Sequence, residues 1–142
     1  MEKIIDVNKL DMNIEIGQKA FATKKFDEQS VNLFAELTGD YNPIHFNKEY
    51  AENTIFKKPI VHGPLVLTLI TTLFAKELPG AGSIYLSHTI KFLKPVYFDD
   101  EITAILEVVD INPKGHIFIN TICINQFNEV VIEGIARLKK SV

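Results

Sequence analysis

An aspartate and a histidine, Asp40 and His45, stand five positions apart in the stretch GDYNPIH at residues 39–45. A carboxylate and an imidazole held together can transfer protons near neutral pH, as general acid and base catalysis requires. Asn42-Pro43 between them predicts a non-helical turn, because proline fixes its own φ and disfavours helical backbone in the preceding residue. The same residue types are common in solvated turns, so a purely structural role for this loop remains an alternative.

A second group that could do chemistry is the backbone N–H of Gly63, 18 residues after His45. The stretch HGPLVLTLITTLFAKEL at 62–78 is apolar almost all round, which predicts a helix buried on most faces. Pro64 suits the first helical position. The N–H groups at a helix start are unpaired and lie at the positive end of its dipole, so Gly63 is a candidate donor to an oxyanion.

Three threonines interrupt this predicted helix on one face, at i, i+3 and i+4 spacing: Thr68, Thr71 and Thr72. Two interpretations stay open. The hydroxyls can bond carbonyls one turn back, or one hydroxyl can line a polar cleft.

Two shorter helices should precede it. Asp27 can cap the start of the first and Gly39 can end it, and helical spacing is seen at Val31, Phe34, Ala35 and Leu37. Asn47 can cap a short helical stretch over 48–56.

Strand-forming composition and two-residue periodicity predict five strands, at 20–26, 84–95, 101–110, 116–126 and 130–139. The turns at 112–115 and 127–129 join the last three strands into two consecutive hairpins. A five-stranded antiparallel sheet wrapped around a long central helix is an α+β fold. The length of 142 residues suits one domain over 1–142.

Charge and composition exclude several classes of function. The net charge is −3 and the lysines and arginines are scattered, so we expect no nucleic-acid partner. No apolar run of 18 residues occurs and residues 1–10 lack the apolar core of a signal peptide, so we expect a soluble, cytoplasmic protein with no membrane partner. Cys123 is alone, which excludes an internal disulfide and suits a reducing compartment; its flanks predict a buried, inert thiol.

The other histidines predict no metal site. His62 directly precedes Gly63, and a structural, supporting role is favoured for it. His88 and His116 lie in or beside predicted strands and are expected to lack partners. Four histidines without ligand-type spacing and one buried cysteine do not make a usual zinc ligand set, and no glycine-rich phosphate loop is present.

Four stretches together resemble the MaoC-like, (R)-specific enoyl-CoA hydratase family of the hot dog fold. They are TGDYNPIHFN at 38–47, KPIVHGPL at 58–65, LPGAGSIYL at 78–86 and IKFLKPVYFDDEITA at 90–104. They occur in unbroken order within residues 15–138. The resemblance implies a single hot dog domain and a hydro-lyase that adds water reversibly to trans-2-enoyl thioesters.

The resemblance also implies roles for single residues. Asp40 and His45 would form the acid/base pair, and the N–H of Gly63 would bind the thioester oxygen. Thr71 stands where the family has a serine that orients the pair, and threonine keeps the hydroxyl while adding a methyl group. Asn42 matches the family motif and would fix the loop.

The chemistry fits these residues. Addition of water at C3 needs a base for the water, an acid for C2 and a donor for the enolate oxygen. Asp40 and His45 can hold one water between them, and which of them protonates C2 stays open. The substrate would be a coenzyme A or acyl carrier protein thioester, with no further cofactor. Phe74 can shorten an acyl pocket or simply fill the core.

Two other functions compete. A hot dog thioesterase would direct water at the thioester carbonyl, but that attack needs no acid placed for C2, which speaks against it. A non-catalytic dehydratase subunit would not need to retain Asp40, His45 and Gly63 together. A homodimer is expected because a five-stranded sheet leaves edges that proteins often cover by pairing two copies. The resemblance implies the same, with each site near the interface.

Overall fold

The computed structural model describes residue 4 and residues 13–141. The prediction about residues 1–10 therefore lies outside the described residues, except for residue 4. The elements follow in chain order: β1 Lys19–Lys25, α1 Glu28–Thr38, a 3-10 turn Pro43–His45, α2 Lys48–Glu52, α3 Gly63–Lys76, β2 Ser83–Phe92, β3 Glu101–Ile111, β4 Ile117–Ile124 and β5 Val130–Lys140.

The five strands form one antiparallel sheet in the order β1-β3-β4-β5-β2. The hairpins β3-β4 and β4-β5 lie at its centre, while β1 and β2 are its edges. The predicted strands and hairpins are confirmed. β2 ends at Phe92, short of the predicted 95, because Pro95 has no N–H to continue a ladder.

α1 runs between the predicted caps. Asp27 accepts a first-turn backbone N–H at 2.9 Å, and Gly39 ends the helix with φ 81°. That left-handed φ favours glycine. The buried side chains are Val31 and Ala35. Leu37 is 84% exposed, so its assignment to the apolar face is wrong.

α3 packs against the sheet and supplies much of the core through Val66, Leu69, Ile70, Leu73 and Phe74. The predicted central helix is confirmed, with ends two residues or fewer from the prediction. Thr68 and Thr72 are exposed, so the helix is buried along one face and not on most faces. The sheet covers only the side of the helix that it faces. In the described part of the chain, no helix is long and apolar enough to cross a membrane.

Two histidines that were predicted to lack partners have them. The Nε2–H of His88 donates to Thr121 Oγ1 at 2.7 Å, since the Thr121 hydroxyl itself donates to a backbone carbonyl. Nδ1 of His88 then accepts from the Tyr85 hydroxyl at 2.5 Å. His116 Nδ1 accepts from Arg137 Nε at 2.9 Å. These partners lie on other strands or across a bulge, which sequence spacing does not show.

Cys123 is buried in the core, as predicted. Burial raises the pKa of its thiol to about 12. A thiol that stays protonated is a poor nucleophile, so the interpretation of Cys123 as an inert core residue agrees with its surroundings.

Candidate active site

The loop after α1 is held by its own side chains. The carboxylate of Asp40 accepts the N–H of Asn42 at 3.2 Å, and the side-chain oxygen of Asn42 accepts the N–H of Ile44 at 3.3 Å. Asn42 thereby caps the 3-10 turn Pro43–His45. The prediction of a wholly non-helical stretch is wrong at this turn, because the φ of proline also suits the first position of a helical turn.

His45 is buried, with 8% of its surface exposed. Its Nδ1 lies 2.7 Å from the carbonyl oxygen of Ile60. A carbonyl only accepts, so Nδ1 carries the proton and Nε2 is the free acceptor. Burial lowers the pKa of His45, and repulsion from His62 lowers it further, while the Ile60 bond and Asp40 act in the opposite direction. The imidazole therefore stays neutral to a lower pH than an ordinary histidine.

Asp40 and His45 come together in the structure. A carboxylate oxygen of Asp40 and one ring nitrogen each of His45 and His62 lie within 4.8 Å of one another. The side chain of Asp40 is 46% exposed, so this cluster opens to solvent on the Asp40 side. One solvent-facing carboxylate and one buried imidazole can thus approach the same small molecule.

The convergence of these three residues was not foreseen from spacing. Two imidazoles and a carboxylate are a donor set that metals use. Each ring, however, already lies within hydrogen-bond distance of a backbone carbonyl, His45 to Ile60 and His62 to Asp40. The two rings also stack at 3.8 Å between centroids with 28° between their planes. The expectation of no metal stays a prediction.

Gly63 begins α3 beside this cluster. Within the described part of the chain its N–H has no acceptor, as expected for the first residue of a helix. A Cβ on Gly63 would lie 2.8 Å from the Phe92 ring, so a close approach by β2 explains the glycine. The two residues border an apolar cavity of about 340 Å³, which Phe56, Val96 and Ile132 also line.

Thr71 lies farther along α3. Its hydroxyl donates to the Thr68 carbonyl at 3.2 Å, and the Thr68 hydroxyl donates to the Leu65 carbonyl at 2.5 Å. Both bonds are of the kind expected if the threonine hydroxyls only bond carbonyls one turn back in the helix. Eight residues separate Thr71 from Gly63, or roughly 12 Å along a helix axis. A catalytic role for Thr71 stays a prediction.

Phe74 is 3% exposed and packs against the rings of Tyr85 and His88, with centroids 5.4 and 6.1 Å away. It belongs to the core, and its effect on acyl length stays open.

Sequence reasoning missed two contributors to the site, Ile60 and Phe92. Ile60 acts through its carbonyl, which orients His45, and a backbone carbonyl leaves no signal in residue type. Phe92 reaches Gly63 from the end of an edge strand. Its position in the stretch IKFLKPV gave no sign of that contact, because the contact depends on tertiary packing.

Comparisons with known proteins agree with the fold. Residues 11–130 match the family model described as MaoC like domain. An (R)-specific enoyl-CoA hydratase from Aeromonas caviae is 45% identical over 96 residues, covering 68% of this chain and 72% of that protein. One of the same name from Rhodospirillum rubrum is 39% identical over 123 residues, covering 86% and 85%.

A solved structure of an (R)-hydratase from A. caviae involved in PHA biosynthesis superimposes with a TM-score of 0.86 at 37% identity. The match covers 92% of this chain and 99% of that one, and it confirms the predicted hot dog fold. Because the family model spans most of the sequence and the relatives match along most of their length, the chain belongs to the MaoC-like domain family.

Proposed function

We propose that the protein is an (R)-specific enoyl-CoA hydratase, a hydro-lyase that reversibly adds water to trans-2-enoyl thioesters. The observation that carries this proposal is the convergence of the Asp40 carboxylate and the His45 ring within 4.8 Å. The chain also belongs to a family whose relatives include proteins named for this activity.

A distance of at most 4.8 Å between the Asp40 carboxylate oxygen and a ring nitrogen of His45 is compatible with one shared water. Two hydrogen bonds of about 2.8 Å meeting at a tetrahedral angle span roughly 4.6 Å. Nε2 of His45 is an acceptor, because Nδ1 donates to Ile60. Nε2 and the Asp40 carboxylate can thus both accept a hydrogen bond from one water. These two bonds would orient a lone pair of the water oxygen toward the substrate.

In the hydration step, the water oxygen forms a bond to C3 while the pair removes one of its protons. The π electrons of the C2–C3 bond move toward the thioester oxygen, where the Gly63 N–H stabilises the enolate. A proton from the pair then reaches C2 as the carbonyl reforms. No electrons enter or leave, so the step uses no redox cofactor.

The apolar cavity beside Gly63 would take an apolar part of the thioester substrate. It is lined by Phe56, Phe92, Val96 and Ile132. Clefts lined mainly by apolar side chains with few polar groups are typical small-molecule sites. The carrier, coenzyme A or acyl carrier protein, would be the only group that accompanies the acyl chain.

We further propose that the protein acts as a cytoplasmic homodimer. Its cysteine Cys123 is free and buried, which suits a reducing compartment. The edge strand β2 exposes apolar side chains, among them Leu86 and Phe92, and Phe92 also borders the cavity. A second copy on this edge would bring each site close to the interface.

The test is a crotonyl-CoA hydration assay, which measures the loss of enoyl thioester absorbance. An assay of free thiol release is run in parallel. We expect hydration without thiol release, and a (3R)-hydroxyacyl product because water held by the pair reaches one face of the enoyl group. Thiol release without hydration would move the assignment to a thioesterase. Neither activity, over enoyl chains of C4 to C10, would favour a non-catalytic subunit.

A further inference from the structure

We propose that His62 is the positioning residue that fixes Asp40, His45 and Gly63 relative to one another, an inference that rests on the proposed hydratase function. The catalytic groups lie on two separate segments, the loop after α1 and the start of α3. His62 contacts or adjoins each of them while being 1% exposed.

The first contact is a hydrogen bond to the loop. Nε2 of His62 lies 3.0 Å from the backbone oxygen of Asp40, 22 residues earlier in the chain. The carbonyl only accepts, so Nε2 carries the proton and donates it. The same nitrogen lies 4.0 Å from a carboxylate oxygen of Asp40. His62 therefore holds both the backbone of Asp40 and the neighbourhood of its carboxylate.

The second contact is the ring stack. The imidazoles of His62 and His45 lie 3.8 Å apart between centroids with 28° between their planes. The ring of Phe34, on α1, lies 4.8 Å from the His62 ring. Because Ile60 fixes Nδ1 of His45 and His62 fixes the plane of its ring, the free Nε2 has one direction.

The third link is the backbone of α3. The carbonyl of His62 accepts the N–H groups of Leu65 at 3.0 Å and Val66 at 3.2 Å, the first bonds of the helix. Gly63 follows His62 directly, so the orientation of the His62 peptide sets that of the Gly63 N–H. One residue thus joins the water-binding pair to the oxyanion donor.

The state of the second ring nitrogen separates positioning from plain packing. Nδ1 of His62 is buried and has no hydrogen-bond partner among the described residues. Burial of an unpaired acceptor destabilises a fold, and an apolar ring of similar shape avoids that cost. The unpaired Nδ1 therefore lowers stability, and what the histidine adds is the Nε2–H bond to Asp40.

Two variants separate these contributions. His62→Phe keeps a ring for the stack but removes the donor. His62→Gln keeps an N–H group at the position of Nε2 but removes the ring. His116→Phe is the matched control, since His116 also has a hydrogen-bonded ring but its partner Arg137 is not part of the site.

For His62→Phe we expect kcat for crotonyl-CoA hydration to fall on the order of 10²-fold, as for a displaced catalytic group, with little change in KM. Its melting temperature should change little, because the lost bond to Asp40 and the removed unpaired Nδ1 act in opposite directions. His62→Gln should recover part of kcat, because it restores the donor to Asp40 but not the ring stack, and His116→Phe should keep wild-type kinetics. Equal impairment of His62→Gln and His62→Phe, or wild-type kcat in His62→Phe, would overturn the inference.

An activity-independent readout keeps this inference separate from the proposed function. The pKa of His45, followed by NMR of its ring protons, should rise more in His62→Phe than in His62→Gln, because both variants lose repulsion from His62 while only His62→Phe loses the bond that holds the loop against water. If the wild type hydrates no enoyl thioester, the proposed function fails. The titration then decides alone, and equal pKa values of His45 in the two variants refute the positioning role.

Discussion

At the scale of single residues, Asp40 and His45 differ in environment in a way that suits one shared water. Asp40 is 46% exposed at its side chain, while His45 is buried and bonded to Ile60. The buried ring is fixed and neutral, and the exposed carboxylate can exchange protons with solvent. In the proposed reaction, this exposure would let the pair return to its starting protonation state after each turnover.

The pKa of His45 predicts the acid limb of the pH profile. Burial and repulsion from His62 disfavour the charged ring, so the folded-state pKa of His45 lies below the ordinary histidine value of 6.5. Protonation of Nε2 would remove the acceptor for water. We expect kcat/KM to fall as the pH drops through a value below 6.5, and this limb to disappear in His45→Gln. A limb centred above 6.5 that persists in His45→Gln would refute this assignment.

The Thr71 hydroxyl gives a second residue-scale prediction. If it orients the pair, Thr71→Ala loses one hydrogen bond to a charged group, on the order of 1.5 to 3 kcal/mol, and turnover falls moderately. Thr71→Ser should retain most turnover. Steady-state kinetics with crotonyl-CoA measure both. Wild-type kinetics for the alanine variant would leave Thr71 with only its observed bond to the Thr68 carbonyl.

At the scale of elements, the start of α3 and the end of β2 meet at Gly63. The Phe92 ring occupies the space that a side chain at position 63 would take. The helix start therefore has no side chain at its first position, and Gly63 borders an apolar cavity. Packing between two elements, and not backbone φ, makes glycine necessary here.

Gly63→Ala should therefore lower activity more than stability. Its Cβ would meet the end of a side chain that is 53% exposed and can move, so the melting temperature should change little. The displaced Phe92 would narrow the cavity, and kcat/KM should fall by about tenfold or more, the effect of one methyl group in a pocket. The double variant Gly63→Ala/Phe92→Ala should recover part of the lost kcat/KM.

The contrasting variant is Gly134→Ala, whose Cβ would lie 1.9 Å from the backbone oxygen of Thr89. Backbone cannot move aside, so this variant should be strongly destabilised. A stability loss in Gly63→Ala as large as that in Gly134→Ala would contradict the view that Phe92 can move aside while the Thr89 backbone cannot.

Local signals predicted the elements better than the contacts between them. Asp27 and Gly39 bound α1 as expected, because a cap depends on residues within one turn. The exposure of Leu37 depends on which face of α1 meets the core. The bond from His62 to Asp40 spans 22 residues and has no local signature. The sequence thus predicted the pair, while the residues that hold it required the structure.

At the scale of the whole molecule, the sheet is open at β1 and β2. β2 is largely exposed and carries apolar side chains, with Tyr85, Leu86 and Phe92 each more than 40% exposed. An exposed strand edge with apolar side chains pairs readily with another chain. Two copies related by a two-fold axis would cover both β2 edges at once.

Sedimentation should therefore show a dimer, and Leu86→Glu should shift it toward monomer, because two buried carboxylates would face each other near the axis. Phe127→Glu is the control, since Phe127 is 72% exposed but lies in the β4-β5 turn. It should stay dimeric. A wild-type monomer that is active at low concentration would contradict the dimer.

The most direct test of the shared water is a double-mutant comparison of Asp40→Asn, His45→Gln and the variant that carries both. Each single change should lower the hydration rate of crotonyl-CoA by at least about 10² to 10⁴-fold, the usual contribution of acid or base catalysis. Both changes nearly preserve side-chain size, so the folded state should be little affected, and melting temperatures check this because His45 is buried and bonded to Ile60. Because the two groups act on one water, the double variant should lose little more than the worse single variant. Additive losses, or thioester hydrolysis that survives in both variants while the wild type hydrates nothing, would contradict the account.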